Sequence, residues 1–159
     1  SVSRDEVATC FKEVVGAVHD EGGLAGIHIC ANADWSLILE SDADIISFDA
    51  YSFFDKLMLY PVHVKQFIES GGILAWGIVP TLNSDDIEEA TVESLVTRWE
   101  AQSTALEALG FDKTAILAQT FITPACGTGS LPLDLANKVL FLTRQVSDTL
   151  RQKYGFETY

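Results

Sequence analysis

The segment GILAWGIV, residues 72–79, contains no polar side chain. A strand with one face in water alternates apolar and polar residues, whereas a strand covered on both faces is apolar almost throughout. Residues 72–79 therefore predict a strand that is covered on both faces, as in a parallel sheet.

Three further runs have the same character and predict three more strands: LAGIHIC (24–30), DIISFDA (44–50) and TAILAQTFI (114–122). Between and around them the apolar residues recur at helical spacing. Long helices are predicted over residues 3–22, 84–109 and 132–154, with Ser3 and Ser84 as caps of the first two. Shorter helices are predicted over residues 34–41, 51–59 and 61–72.

Strands and helices alternate without a linker, a repeat or a low-complexity tract. This order predicts an α/β fold of parallel βα units in a single domain, residues 1–159. Two architectures fit four such units. One is a small open sheet, although the G-x-G-x-x-G turn of dinucleotide-binding sheets is absent. The other is half of an eight-stranded TIM (β/α)8 barrel, which typically takes about 250 residues.

The charge of the chain limits the classes of partner. Its 159 residues carry a formal net charge of −13, which disfavours binding to nucleic acid or to an anionic membrane surface. A small molecule, a metal ion or a protein is the expected partner. No apolar segment of transmembrane length and no signal-peptide pattern occurs, so a cytoplasmic location is expected.

Metal-favouring residues follow the predicted strands. The three cysteines, Cys10, Cys30 and Cys126, are widely spaced and do not form a disulfide framework. His28 and Cys30 are two residues apart at the end of the first strand and so face the same way. The strand at 44–50 contains Asp49 at its carboxyl end, and Cys126 follows the fourth strand.

Nitrogen, sulfur and carboxylate donors at one edge of a parallel sheet match the ligands of tetrahedral zinc. His28, Cys30, Asp49 and Cys126 are therefore the predicted metal site. Each has a structural alternative: a buried His beside a small buried Cys, a helix cap or a solvated loop acid for Asp49, and a small apolar residue in a tight turn for Cys126. Cys10 is predicted to be a buried apolar residue of the first helix.

Three motifs together resemble a known family. The H-x-C motif at 28–30, ADIISFDAY (43–51) and TPACGTGSL (123–131), followed by A-x-x-V-L-x-L-T-R (136–144), look like the carboxy-terminal half of the cobalamin-independent methionine synthases. HICAN (28–32) is also similar to the H-x-C-G-N stretch of the corrinoid:coenzyme M methyltransferases. The resemblance extends from about residue 24 to 152.

The resemblance implies the second half of a zinc-dependent barrel, in the superfamily that includes uroporphyrinogen decarboxylase. By motif, His28 and Cys30 match the first two zinc ligands and Cys126 the last. Asp49 stands where the methionine synthases have a glutamate ligand, and it is one methylene shorter. Asp49 is thus expected either to bind zinc from a closer backbone or to act catalytically from outside the ligand set.

The implied activity is a methyl transfer of methionine biosynthesis. Zinc would activate a small-molecule thiol such as homocysteine, and the methyl donor would be methylfolate or a methylated corrinoid protein. The first four strands would come from a missing amino-terminal half or from another copy in a homo-oligomer. The competing interpretations are a metal-free enzyme resembling uroporphyrinogen decarboxylase and a zinc-binding fragment without catalysis.

Overall fold

A computed structural model describes residues 3–157. The strands are β1 Gly26–Ile29, β2 Ile45–Phe48, β3 Ile73–Val79 and β4 Thr120–Pro124. The helices are α1 Arg4–Asp20, α2 Trp35–Leu39, α3 Ala50–Leu57, α4 Pro61–Glu69, α5 Ser84–Glu89, α6 Val92–Glu107, α7 Lys113–Ala118 and α8 Leu133–Lys153.

The four strands form one parallel sheet in the order β1-β2-β3-β4. This confirms the predicted α/β fold of parallel βα units. Connections between parallel neighbours are almost always right-handed, so a sheet that follows the chain order carries its crossover helices on one face. The two faces of the sheet are therefore different: the crossover helices cover one face and leave the other open.

The helix-covered face of the sheet holds the core. Ile46, Phe48, Leu74 and Trp76 point to this face and are at most 2% exposed. They pack with helix residues in one cluster, whose fully buried members include Leu57, Val64, Leu106, Val139, Val146 and Leu150. Every second strand residue contributes to this core, as the strand period of two requires.

The opposite face carries a different set of side chains. In register across the sheet lie His28 on β1, Ser47 on β2, Ala75 on β3 and Phe121 on β4. His28 is exposed and Phe121 is 48% exposed. His28, one of the predicted metal ligands, therefore lies on this open face.

Local side-chain caps explain most of the helix starts. Ser3 and Glu6 form a reciprocal capping box at α1, which confirms the predicted cap. Asp34 and Asp112 accept backbone N–H bonds at the starts of α2 and α7. Such caps satisfy backbone donors that the first helical turn leaves unpaired.

Two elements that were predicted as continuous are each two elements in the structure. The predicted strand at 114–122 begins as α7 and becomes β4 only at Thr120, because Asp112 caps a helix there. The predicted helix at 84–109 is two helices, since Ala90 is extended and Thr91 starts a new capping box with Ser94. Asn83, not Ser84, caps the first of them.

Two further observations concern the surface. Cys10 lies on the exposed side of α1, so the prediction that it is buried was wrong, because the helical stripe at that position faces solvent. Across residues 3–157, none of the helices combines the length and apolar content needed to cross a bilayer.

The sidedness of the sheet predicts unequal costs for two truncations. Leu74→Ala opens a cavity in the core and should lower the free energy of unfolding by about 2–5 kcal/mol. Phe121→Ala, on the open face of the neighbouring strand, should lower it by about 1 kcal/mol or less. Urea denaturation followed by circular dichroism measures both, and equal losses would contradict a core on one face only.

Candidate metal centre

The end of β1 presents two donors on the open face. Ile27 and Ile29 pack against the core cluster, so the alternate residues His28 and Cys30 point the other way. Both are exposed. The alternative that His28 and Cys30 are buried core residues is wrong, because β1 is an edge strand with an open face.

Cys126 reaches the same place from the far edge of the sheet. The backbone N–H of Ala125 donates to the carbonyl of Val79 at 2.8 Å, which holds the end of β4 against β3. The donor atoms of His28, Cys30 and Cys126 all lie within 4.8 Å of one another. Three strand spacings in a flat sheet would separate β1 from β4 by about 14 Å, so the carboxyl ends must bend towards each other.

Gly77 in β3 permits this bend. A Cβ at Gly77 would lie 2.3 Å from the carbonyl oxygen of Phe48 and 2.8 Å from the Cα of Ala125. Both distances are shorter than van der Waals contact, so only glycine allows β2 and β4 to approach each other over β3. The register between β3 and β4 shifts at the same point. Phe48 and Ala125 directly precede Asp49 and Cys126.

Ser47 is a functional candidate that the sequence analysis missed. Its Oγ lies 2.8 Å from Nδ1 of His28, its register partner on the neighbouring strand. The signal in the sequence is weak: Ser47 is the one polar residue of β2, Ile45–Phe48. Only the pairing of the two strands shows that this hydroxyl faces the histidine.

The two carboxylate oxygens of Asp49 differ in their hydrogen bonding. Oδ1 accepts the backbone N–H of Ser52 at 2.8 Å and caps α3, so the helix-cap alternative is confirmed. The residue is fully buried, and among the described residues Oδ2 has no hydrogen-bond partner. A buried carboxylate oxygen without a partner is costly. Asp49 is not among the three residues whose donor atoms lie within 4.8 Å.

The surroundings of Cys30 disfavour its thiolate. The neighbouring Cys126 is the largest cause of the raised pKa of Cys30, and the charge of Asp49 acts in the same direction. A thiolate is disfavoured where other negative charge is near and no cation compensates it. The same crowding of negative charge is what a bound cation would relieve.

The aromatic residues near this edge have structural roles. Trp35, Phe48 and Trp76 are at most 1% exposed and belong to the core on the helix side of the sheet. Tyr51 instead lies under the guanidinium of Arg98, 4.0 Å from the ring centre. These aromatic residues therefore pack under the strand ends on the helix-covered face of the sheet, opposite the open face.

A scan of protein-family models, a search of curated proteins and a search of solved structures each return no match to this chain. The motifs and the geometry of the strand ends are therefore what support a metal centre in this chain.

The close approach at Gly77 predicts that adding one methyl group there is harmful. Gly77→Ala should lower the free energy of unfolding by about 1–3 kcal/mol through overpacking against backbone. The matched control is Gly16→Ala in α1, where a Cβ meets nothing within 4 Å. The control should instead stabilise the helix by about 0.5–1 kcal/mol. Urea denaturation compares them, and a neutral Gly77→Ala would contradict the steric account.

The raised pKa of Cys30 predicts how this thiol reacts in the absence of metal. Cys126→Ala removes the largest cause of the raised pKa of Cys30, so the pH midpoint of its alkylation by iodoacetamide should fall. Peptide-resolved mass spectrometry in the presence of a chelator measures the rate at each cysteine. Cys10 is the internal control because α1 is unaffected by the change. An unchanged midpoint for Cys30 would show that the two thiols do not interact.

Proposed function

We propose that this chain forms the zinc-binding part of a methyltransferase that methylates a small-molecule thiol such as homocysteine. The observation that carries the proposal is the convergence of His28, Cys30 and Cys126 within 4.8 Å. Cys126 is far from His28 and Cys30 in the sequence, and all three match, motif by motif, the ligands of the methionine synthase family that the chain resembles.

The donor set fits zinc in kind and in spacing. Two donors bound to one tetrahedral zinc at ordinary bond lengths are about 3.6–3.8 Å apart. The donor atoms lie within 4.8 Å of one another, so they would have to approach by at most about 1.2 Å, which rotamer adjustment of the side chains supplies. Two thiolates and an imidazole favour zinc over hard cations such as magnesium.

Three protein donors are the number found in catalytic zinc sites, where the fourth position is open. A zinc ion held there would deprotonate the substrate thiol and keep its sulfur nucleophilic. Because Asp49 lies outside the three-residue cluster, its Oδ2, which has no hydrogen-bond partner among the described residues, would orient the substrate. That role agrees with an aspartate where the resembling family has a longer glutamate ligand.

The transfer itself exchanges one bond for another. The substrate sulfur forms a bond with the methyl carbon while the donor loses its bond to that carbon, a C–N bond in methylfolate or a Co–C bond in a methylated corrinoid protein. The open face of the sheet is the side from which both substrates would approach. The exposed positions of His28 and Cys30 support that direction.

The sheet order supports half of a TIM barrel as the architecture. Closed barrels have parallel strands in chain order with helices outside, and this sheet has the same order. Within residues 3–157, β1 and β4 each pair with one strand only. Leu140 and Phe141 on α8, beside the β4 edge, are more than half exposed. Unpaired edges and exposed apolar residues favour a covering partner.

The expected partner is a complementary set of βα units, from an amino-terminal half or from another copy of the chain. Helices already lie beside both edge strands: Val15 and Val18 of α1 cluster with Ile27 of β1, and α8 contacts β4. The barrel would therefore be completed by four strands joined by three helices, with no further helix at either end. A second copy of this chain would bring its own α1 and α8 to the same edges, so a separate amino-terminal half is favoured.

Metal content tests the proposal first. Protein purified under reducing conditions should contain about one zinc per chain by plasma mass spectrometry. The double variant Cys30→Ser, Cys126→Ser should lose it, because hydroxyls are poor zinc ligands. The matched control Cys10→Ser removes an exposed thiol on α1 and should keep the metal. Absence of zinc after reconstitution of the wild type would overturn the proposal and favour the metal-free alternative.

A second experiment tests activity after the proposed amino-terminal half has been added. Zinc-loaded protein mixed with an amino-terminal half should convert homocysteine and a methyl donor to methionine, detected by mass spectrometry. Asp49→Asn should slow this conversion more than it weakens zinc binding, since Asp49 is proposed to act from outside the ligand set. Zinc binding without methylation by any donor would favour the non-catalytic alternative.

A further inference from the structure

Ser47 and His28 form a cross-strand pair on the open face of the sheet. They are register partners on β2 and β1, and Oγ of Ser47 lies 2.8 Å from Nδ1 of His28. Ala75, the register partner of Ser47 on the other side, offers only a methyl group. The hydroxyl therefore has the histidine as its polar partner across the strands.

A neutral imidazole has one N–H and one lone pair, and the metal takes the lone pair. The partner of the other nitrogen decides which tautomer is present. A serine hydroxyl can accept a hydrogen bond from Nδ1–H or donate one to an unprotonated Nδ1. Only the accepting arrangement leaves the lone pair on Nε2, the nitrogen at the far side of the ring.

We infer that Ser47 is a positioning residue of the metal centre: it accepts a hydrogen bond from Nδ1–H of His28, fixes the ring on the open face and leaves Nε2 to bind the metal. This inference rests on the proposed function, because it presupposes that His28 is a ligand. It adds a residue that neither the motifs nor the resemblance assigns.

The placement of Ser47 gives this role a physical reason. His28 is exposed on an edge strand, so packing alone does not fix the orientation of its ring. Ser47 is half-buried one strand further in, and its short side chain has only three staggered positions. A hydrogen bond that the exposed ligand donates to this short side chain reduces the freedom that metal binding would otherwise have to remove.

Zinc affinity tests the inference. Competition with a chromophoric chelator should show zinc binding about 10–100-fold weaker in Ser47→Ala than in the wild type. Ser47→Thr keeps a hydroxyl on a strand and should bind zinc with an affinity within about threefold of the wild type. Such a rescue would assign the loss in Ser47→Ala to the hydrogen bond and not to altered packing. The matched control Ser84→Ala changes an exposed serine at the start of α5 and should leave the affinity unchanged.

The tautomer of His28 provides a second readout, independent of affinity and of activity. Long-range proton–nitrogen NMR of the zinc-loaded wild type should show a protonated Nδ1 and a metal-bound Nε2. The visible spectrum of the cobalt-substituted protein should change in Ser47→Ala and be restored in Ser47→Thr. Zinc bound through Nδ1, or equal affinity in wild type and Ser47→Ala, would overturn the inference. Failure of the wild type to bind zinc would instead overturn the proposed function.

Discussion

The missing side chain at Gly77 determines how close the strand ends can come. At this residue the backbone of β2 and the turn after β4 approach to distances that a Cβ would forbid. Asp49 and Cys126 follow immediately from the two segments that meet there. The convergence at the carboxyl edge thus depends on a backbone contact that lies one residue before Asp49 in one segment and one residue before Cys126 in the other.

One face of the sheet forms the core that stabilises the fold, and the other face carries the residues of the candidate site. The face under the helices carries large apolar residues such as Trp76 and Phe48, which are almost completely buried. The other face carries His28, Ser47 and Cys30, whose polar groups would be costly in a core. Because strand residues alternate between the faces, the same short segments supply the core and the candidate site without conflict.

Much of the fold was predictable from local patterns. Apolar runs gave the four strands, and the Ser3 cap and helical spacing gave α1 and α8 to within a few residues. The two errors in element boundaries occurred where a local cap overrides a longer pattern. Asp112 starts a helix inside an apparent strand, and Thr91 interrupts an apparent single helix. In both cases a side-chain hydrogen bond to the backbone fixes a helix start that apolar spacing does not reveal.

The sequence by itself determined the α/β class, the order of the βα units and the fact that His28 and Cys30 lie on the same side of β1, because these depend on residues close together in the chain. Tertiary structure alone decided that Cys126 meets them across the sheet, that Ser47 contacts His28 and that Asp49 is buried as a cap with one free oxygen. The physical reason is that strand register, sheet curvature and the contact at Gly77 bring together residues that are far apart in the chain, and no local pattern specifies those distances.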